Sequence, residues 1–457
     1  MANSHRSPSV VIVGAGIAGV ATAYHLAVKR GVRDVLLVDS RPPLSLTSDK
    51  STEAYRNWWP GPDGAMVGLM NRSIDLLEAL ADAHGNRFRL NRRGYLFVTA
   101  DLARVEAWRR AAVAAEAFGA GPLREHTTLV TYRPAPPRGF YGQPDGADLL
   151  LGDAVHRAFP YVSPRAVAAL HVRRAGWLSA HTYGTLLLEE ARARGVRLVQ
   201  ARYTGAAVRR GRVEAVSLST GERVPAGALV LAVGPFLRES AAALGVNLPV
   251  VYERHLKVAF GDRLGAVPRD APLLIWSDPQ RLPWRADERA ALAADPEAAF
   301  LLDEFPGGVH TRPEGEGGSR MVIGLWEYNA LPLETARFPV PDDPFYPEVV
   351  LRGLSTMLPA MRPYLQRLPR PVVDGGYYVK MPDNRPVVGP LAVEGAYVVG
   401  ALSGFGIMGS QGAADLLAAH LTGEALPPYA AAFRPERWAE AAYRRQWEAG
   451  AGEGWAL

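Results

Sequence analysis

Three glycines near the N-terminus, in the order Gly14-x-Gly16-x-x-Gly19, stand between a short apolar run and a helix-forming segment. The run, residues 10–13, reads Val-Val-Ile-Val, which is typical of a central parallel strand covered on both faces. Glycines with this spacing permit a tight turn and let a pyrophosphate approach the backbone. Asp39 ends a second apolar run about 20 residues further on, where its carboxylate can accept hydrogen bonds from a ribose. The set predicts a Rossmann-like α/β fold that binds a dinucleotide.

A second pattern, near the C-terminus, bears on the choice between FAD and NAD. Residues 381–390 read MPDNRPVVGP, and residues 397–410 read YVVGALSGFGIMGS before a helix-forming segment. With the N-terminal glycines, this order resembles the D-amino-acid oxidase and sarcosine oxidase family of FAD enzymes. That family has a C-terminal PD-x-x-P-x-x-G turn and an S-G-H-G loop. The resemblance extends over nearly the whole chain and implies FAD as the cofactor.

The resemblance also implies which residues contact the cofactor. The C-terminal glycine loop is expected to pass the pyrimidine edge of the flavin, where the N-terminus of the next helix stabilises negative charge. Some relatives tether FAD through a cysteine or a histidine; the chain has no cysteine and residues 44–59 contain no histidine, so we expect non-covalent FAD. The residues expected to bind it are Gly14, Gly16, Gly19, Asp39, Gly234, Gly404, Phe405, Gly406, Ile407 and Met408.

Residues 47–60 resemble the loop that follows the second strand in sarcosine oxidases. Those proteins place an arginine beside the flavin to hold the substrate carboxylate, and Arg56 falls at the matching position. A guanidinium suits this role because it offers a planar, bidentate fork and stays charged. The alternative is an arginine that pairs with carboxylates of the flavin domain or packs on Trp58. His255 is a candidate acid or base and Lys257 a candidate second cation, with a structural histidine and a solvated strand lysine as the alternatives.

Two departures from the family concern the substrate and the electron acceptor. Monomeric sarcosine oxidases have a second carboxylate-binding lysine just beyond the glycine loop, where this chain has Met408. They also have a lysine in a G-x-K-x-G strand that promotes reaction with oxygen, and residues 321–324 read Met-Val-Ile-Gly. We therefore expect the protein to react more slowly with oxygen than with an artificial dye, and substrate identity stays open.

The order of apolar runs predicts two intertwined domains. An FAD-binding domain of α/β class is expected from residues 1–90, 146–238 and 376–435. A mostly antiparallel substrate domain is expected from residues 91–145 and 239–375, because several short β-type runs are separated there by proline- and glycine-rich loops. Residues 436–457 are expected to form a C-terminal tail.

Composition excludes several other classes of protein. The absence of cysteine removes disulfides, iron–sulfur clusters and dithiol chemistry. The 51 basic and 46 acidic residues leave a formal charge of +5, and the basic residues occur in scattered pairs, so no nucleic-acid partner is expected. No residues show metal-ligand spacing. Residues 10–28 are apolar but contain three glycines and read as a strand and a helix, so we expect no membrane span and a cytoplasmic location.

These observations predict an FAD-dependent oxidoreductase that oxidises the C–N bond of a small amine or amino acid similar to sarcosine. Hydride transfer to flavin N5 would give an imine that hydrolyses. One alternative is the flavin subunit of a multi-subunit dehydrogenase that passes electrons to a partner, and another is a flavin-stabilised assembly factor without turnover. Oxygen or another acceptor, and a homo-oligomer or a partner subunit, stay open.

Overall fold

The first sheet of the molecule carries the predicted dinucleotide fold. The computed structural model describes residues 10–315 and 318–450. Five strands of this sheet are parallel and a sixth is antiparallel at one edge. In spatial order the strands are Val387–Pro390, Ala396–Gly400, Ala228–Leu231, Val10–Val13, Val35–Asp39 and Arg197–Gln200.

Both faces of the first sheet are covered, which explains why its central strands are apolar throughout. Val10 and Ile12 belong to one core with the helices Ile17–Tyr24, Ala65–Ala83, Ala180–Ala193 and Gly406–Thr422. Val11 and Val13 belong to a second core on the opposite face, as the two-residue period of a strand requires. That face packs against a three-stranded sheet formed by Tyr203–Arg209, Arg212–Leu218 and Arg223–Pro225.

The second sheet has ten strands, and seven of its nine pairings are antiparallel. Helix Tyr346–Met357 packs on one of its faces. The predicted combination of a Rossmann-like sheet with a mostly antiparallel sheet is confirmed. In spatial order the strands are Pro332–Leu333, Val251–Gly261, Met321–Leu325, Val309–Pro313, Leu273–Trp276, Tyr95–Thr99, Ala168–Val172, Ala147–Leu151 and Leu123–His126, with Val372–Lys380 also paired to Val251–Gly261.

Sheet membership changes two details of the expected domain division, which otherwise stays a proposal. Strands Ala147–Leu151 and Ala168–Val172 belong to the second sheet, although we expected residues 146–238 in the FAD-binding domain. The cause is that Ala168–Val172 pairs antiparallel with both Ala147–Leu151 and Tyr95–Thr99, which an apolar run alone does not reveal. Arg437, expected in the tail, is 0% exposed and forms an ion pair with Asp383.

The remaining elements connect or flank the two large sheets. Two further pairs of short strands are Ala54–Arg56 with Ala175–Trp177, and Gln280–Arg281 with Glu304–Phe305. The other helices are Ala103–Ala117, Asp153–Ala158, Leu237–Ala242, Ala286–Ala294 and Ala441–Gly450, and a π-helical turn, His25–Lys29, extends Ile17–Tyr24. Short 3-10 turns are Gly234–Phe236, Ala299–Leu302, Pro359–Leu365, Pro428–Phe433 and Pro435–Ala439.

Candidate active site

A cavity of about 540 Å³ lies at the carboxyl ends of the strands of the first sheet. Asp39 and Arg41 line it where the second strand ends, and Gly16 lines it after the first strand, as the N-cap of helix Ile17–Tyr24. Gly404 and Tyr378 also line it, from the C-terminal loop and from the second sheet. Ligands of open α/β sheets bind in this position, because the loops at that edge leave a crevice.

The three N-terminal glycines have different roles. Gly14 has φ +103°, and a Cβ there would lie 2.2 Å from the carbonyl oxygen of Ala232. A Cβ on Gly19 would lie 1.8 Å from the carbonyl oxygen of Gly14, so these two glycines are required by the packing of the chain on itself. Within 4 Å, a Cβ on Gly16 would meet only Ser48 Oγ among the described residues, at 3.3 Å. The missing side chain of Gly16 therefore leaves room in the cavity itself.

Asp39 lines the cavity and also hydrogen-bonds to the backbone of two segments that border it. One carboxylate oxygen accepts a hydrogen bond from the backbone N–H of Ala15 at 2.7 Å, and the other accepts one from Arg41 N–H at 2.9 Å. Each carboxylate oxygen has a second lone pair, so Asp39 can still accept hydrogen bonds from a ligand. Ser48, which sequence reasoning did not single out, accepts a hydrogen bond from Ile17 N–H at 3.0 Å beside the helix N-terminus.

The C-terminal loop presents part of its predicted residues to the cavity. Gly404, Gly406 and Ile407 line it, as does Gly234 from the segment after strand Ala228–Leu231. Phe405 is instead buried, with its ring 4.6 Å from that of Trp59. Met408 is buried in the helix core, where its carbonyl oxygen accepts a hydrogen bond from the Ser73 hydroxyl, and Gly19 also does not line the cavity.

The residues of the cavity fit FAD. The N-termini of helices Ile17–Tyr24 and Gly406–Thr422 both reach it, and helix N-termini attract negative charge such as phosphate. A Cβ on Gly16 would enter space that packing does not use, and Asp39 supplies an acceptor at one end. The described lining residues include no histidine, so non-covalent FAD stays our prediction.

Arg56 lies behind the C-terminal loop, in the short strand Ala54–Arg56. It is 2% exposed, and its guanidinium lies over the rings of Trp59, at 4.4 Å, and Tyr95, at 5.8 Å. Burial lowers the pKa of Arg56, while Tyr95 and Glu327 favour its charged form. Because Trp59 also contacts Phe405, the guanidinium is one aromatic ring away from the loop that borders the cavity.

His255 lies between two carboxylates on strand Val251–Gly261. Its Nδ1 is 3.0 Å from Glu327 Oε1 and its Nε2 is 3.2 Å from Glu253 Oε2. Burial opposes the charge of the imidazole, but the carboxylates outweigh burial and raise the pKa of His255. Burial alone would raise the pKa of Glu327, and the nearby cations, chiefly His255, lower it to about 2. The pair therefore stays an ion pair in weakly acidic solution.

Tyr378 connects this ion pair to the cavity. Its ring stacks on the His255 ring with 3.6 Å between centroids, and it lines the cavity. A Cβ on Gly404 would lie 2.4 Å from Tyr378 Cε2, so the loop packs directly on this ring. We call Arg56, Tyr95, His255, Glu327 and Tyr378 the Arg56 cluster. From the sequence, Tyr378 is expected only to be a wall of the substrate pocket, and Glu327, which follows strand Met321–Leu325 without any motif, is missed.

The other predicted residues of the second sheet do not line the cavity. Lys257 Nζ donates a hydrogen bond to the carbonyl oxygen of Ser51 at 3.1 Å and lies 3.7 Å from Asp374 Oδ1. The structure therefore places its ammonium against the loop at the rim of the cavity, which Ser51 lines. Tyr252 and Trp326, aromatic residues that the sequence also offers as pocket walls, are core residues: they are 0% and 2% exposed.

Two kinds of site are absent from the described residues. Across residues 10–315 and 318–450, no group of three or more histidine, aspartate or glutamate side chains is arranged to hold a metal ion. Among the helices of those same ranges, none combines the length and apolar character that crossing a membrane requires.

Comparison with solved structures supports the fold. L-proline dehydrogenase from P. horikoshii superposes with a TM-score of 0.72 over 95% of this chain and 98% of its own, at 18% identity. Glycine oxidase from Geobacillus kaustophilus superposes with a TM-score of 0.71 over 94% of this chain and 98% of its own, at 16% identity. At such identities the likeness concerns the fold alone.

Comparison of sequences identifies the family. A curated relative, 4-methylaminobutanoate oxidase (formaldehyde-forming) from Paenarthrobacter nicotinovorans, is 29% identical over 260 residues. The matched stretch is 56% of this chain and 28% of that protein, so the chain spans well under half of the relative's length. The family model of FAD dependent oxidoreductases, DAO, matches residues 9–420. The chain therefore belongs to the DAO family of FAD-dependent oxidoreductases.

Proposed function

We propose that this protein oxidises the C–N bond of a small amine that also carries a carboxylate, such as an N-methyl amino acid. The observation that carries the proposal is the position of Arg56, a buried guanidinium on the ring of Trp59, which in turn contacts the loop at the cofactor cavity. The curated relative is named as an oxidase of 4-methylaminobutanoate, a secondary amine with a carboxylate, which supports the same class of substrate.

The chain's own residues have three tasks in this reaction. Arg56 holds the substrate carboxylate, and the fixed guanidinium limits how the molecule can turn. Trp59, Tyr95 and Phe405 give the site apolar walls, which exclude water and strengthen the charged contact. Bound FAD would supply the redox chemistry, because a flavin accepts a hydride from the carbon next to nitrogen. The imine product then hydrolyses in water.

His255 and Lys257 keep distinct roles in the proposal. His255, held between Glu253 and Glu327, keeps Glu327 ionised next to the site and is the candidate acid or base. Lys257 positions the loop around Ser51 rather than touching substrate, because its ammonium binds the Ser51 carbonyl. The electron acceptor stays oxygen or another acceptor. The expected slower reaction with oxygen still rests on the absent lysine in strand Met321–Leu325.

Substitution of Arg56 tests the proposal. A charge-assisted hydrogen bond contributes about 1.5–3 kcal/mol, so Arg56→Ala should lower kcat/KM for an N-methyl amino acid by roughly 10- to 100-fold. Arg56→Lys should recover part of the loss, since a point charge does not reproduce the bidentate fork. The measurement is steady-state kinetics with sarcosine and 4-methylaminobutanoate, together with the FAD content of each variant.

Matched amines without a carboxylate provide the control. Dimethylamine and N-methylpropylamine keep the reacting C–N bond but give Arg56 nothing to bind, so their weaker turnover should not fall further in Arg56→Ala. Equal losses for both classes, or loss of FAD, would make Arg56 a structural or flavin-contacting residue. Gel filtration that finds the chain always bound to another protein would favour the dehydrogenase-subunit alternative, and a flavin that no amine reduces would favour the assembly factor.

A further inference from the structure

Glu327 uses only one of its carboxylate oxygens to contact His255. Its Oε1 contacts His255 Nδ1 at 3.0 Å, and among the described residues its Oε2 has no hydrogen-bond partner. The side chain is 26% exposed, whereas the His255 side chain is 5% exposed. Glu327 therefore uses one oxygen to hold the imidazole, and its side chain is still partly exposed.

The charge of Glu327 acts on the same site as the charge of Arg56. Glu327 favours the charged form of Arg56, and it also contributes to the raised pKa of Tyr378, the ring that lines the cofactor cavity. The anion of Glu327 is thus close enough to influence Arg56, and its contact with His255, which stacks on Tyr378, connects it to a residue that lines the cavity. This pair of opposite charges complements a molecule with a carboxylate and an amine, and not one with a carboxylate alone.

The second carboxylate on His255 is arranged differently. Glu253 Oε2 accepts from His255 Nε2 and also forms an ion pair with Lys380, with 2.5 Å between Nζ and oxygen. Its side chain is 19% exposed. Unlike Glu327, it is not among the groups that favour the charged form of Arg56. Glu253 is therefore engaged by two cations of its own sheet, and it is a matched control for Glu327.

We propose that Glu327 is a specificity-determining residue that accepts a hydrogen bond from the substrate nitrogen while Arg56 holds the substrate carboxylate. This inference rests on the proposed function and deepens it, because it requires a substrate with an N–H group and a carboxylate in one molecule. Glu327 binds the nitrogen and does not remove its proton: a carboxyl with a pKa of about 2 is too weak a base.

Glu327→Gln in the holoenzyme separates binding of the nitrogen from binding of the carboxylate. Each probe amine is paired with the acid in which CH2 replaces NH: sarcosine with butanoate, and 4-methylaminobutanoate with hexanoate. Loss of a charge-assisted bond should raise the KM of the amines by about 10-fold or more. Loss of the negative charge near Arg56 should leave the dissociation constants of the acids unchanged or lower them by about 3-fold. Acid binding is read from the shift of the flavin absorbance, without turnover.

Two controls decide the reading of this experiment. Glu253→Gln should change the KM of the amines and the dissociation constants of the acids by similar factors, each less than about 3-fold. Glu253→Gln and Glu327→Gln should both keep their FAD. The inference is overturned if the wild type oxidises the amines but Glu327→Gln leaves their KM unchanged, or weakens the acids as much as the amines. If the wild type binds the acids but no amine, the proposed function and this inference both fail.

Discussion

At the scale of single residues, two glycines of the first turn are required for folding, and a third leaves room for the cofactor. Gly14 and Gly19 are in contact with backbone atoms, at distances that leave no space for a Cβ. Gly16 has φ −71° and ψ 179°, an extended conformation open to any residue, and faces the cavity. A substitution at Gly16 should therefore weaken ligand binding, and a substitution at Gly19 should impair folding.

We predict that Gly16→Val leaves the fold intact but strongly lowers the affinity for FAD, because its side chain occupies space in the cavity. Gly19→Ala should lower the yield of folded protein, because its Cβ would meet the Gly14 carbonyl at 1.8 Å. Circular dichroism and FAD titration of the purified variants measure the two effects. Full FAD binding by Gly16→Val, or normal folding of Gly19→Ala, would contradict this division of roles.

The roles of residues that belong to a motif could be predicted from the sequence, and the roles of residues outside any motif could not. The glycine spacing and Asp39 led to the cavity, because a pyrophosphate constrains the backbone at fixed intervals. The second task of Asp39, to accept the Ala15 N–H, depends on the turn geometry and not on spacing. Glu327 has no pattern around it. Its role is revealed only when strand Val251–Gly261, which contains His255, pairs with the distant strand Met321–Leu325, which Glu327 follows.

At the scale of elements, helix Ala180–Ala193 shows what periodicity misses. The apolar pattern predicts a helix over residues 186–194, whereas the helix begins at Ala180. A distant residue holds its first turn: Glu53 Oε1 accepts a hydrogen bond from Ala180 N–H at 2.9 Å, and Glu53 Oε2 pairs with Arg312. Because Ser51 lines the cavity two residues before Glu53, this contact ties the helix to the site.

A buried ion pair links Asp383 of the C-terminal turn to Arg437, which lies in the later turn Pro435–Ala439. Asp383 and Arg437 side chains are both 0% exposed, and Arg437 Nε is 2.7 Å from Asp383 Oδ2. Arg437 also donates to the carbonyl oxygen of Arg385 at 3.0 Å, and Tyr443 donates to Asp383 at 2.9 Å. Asp383 thus has a structural role, although it belongs to the C-terminal family pattern just as the glycines do.

We predict that removing one member of this pair is costly, because it leaves an uncompensated charge in the interior. Asp383→Asn and Arg437→Met should each lower the free energy of unfolding by about 3–5 kcal/mol. The double variant should lose less than the sum of the two single losses. Urea unfolding at a fixed excess of FAD measures this, since bound cofactor itself shifts stability. Single losses below about 1 kcal/mol would show that water reaches the pair.

At the scale of the whole molecule, the sequence predicts that there are two sheets better than it predicts which strands belong to each. The run Val-Val-Ile-Val and its glycines predict the first sheet, because parallel strands covered on both faces are apolar throughout. Strands Ala147–Leu151 and Ala168–Val172 are also mainly apolar, each with a single ionisable residue, but they join the second sheet. Their partner is decided by antiparallel pairing between distant segments, which a single sequence does not encode locally.

The two sheets meet where the proposed chemistry needs them. The first supplies the cavity with its two helix N-termini, and the second supplies Tyr378 and His255. Arg56 comes from the segment between the second strand of the first sheet and helix Ala65–Ala83. The site thus depends on both sheets, and neither contains the Arg56 cluster by itself.

An anaerobic titration of the purified holoenzyme with candidate amines, followed through the flavin absorbance, tests directly whether this protein oxidises C–N bonds. We predict that a secondary amine with a carboxylate, of the type of sarcosine or 4-methylaminobutanoate, bleaches the flavin with one equivalent per site, and that the isosteric acids shift the spectrum without bleaching. Flavin that stays oxidised with every amine in the panel, yet is reduced by dithionite, would contradict the proposal that this protein oxidises C–N bonds.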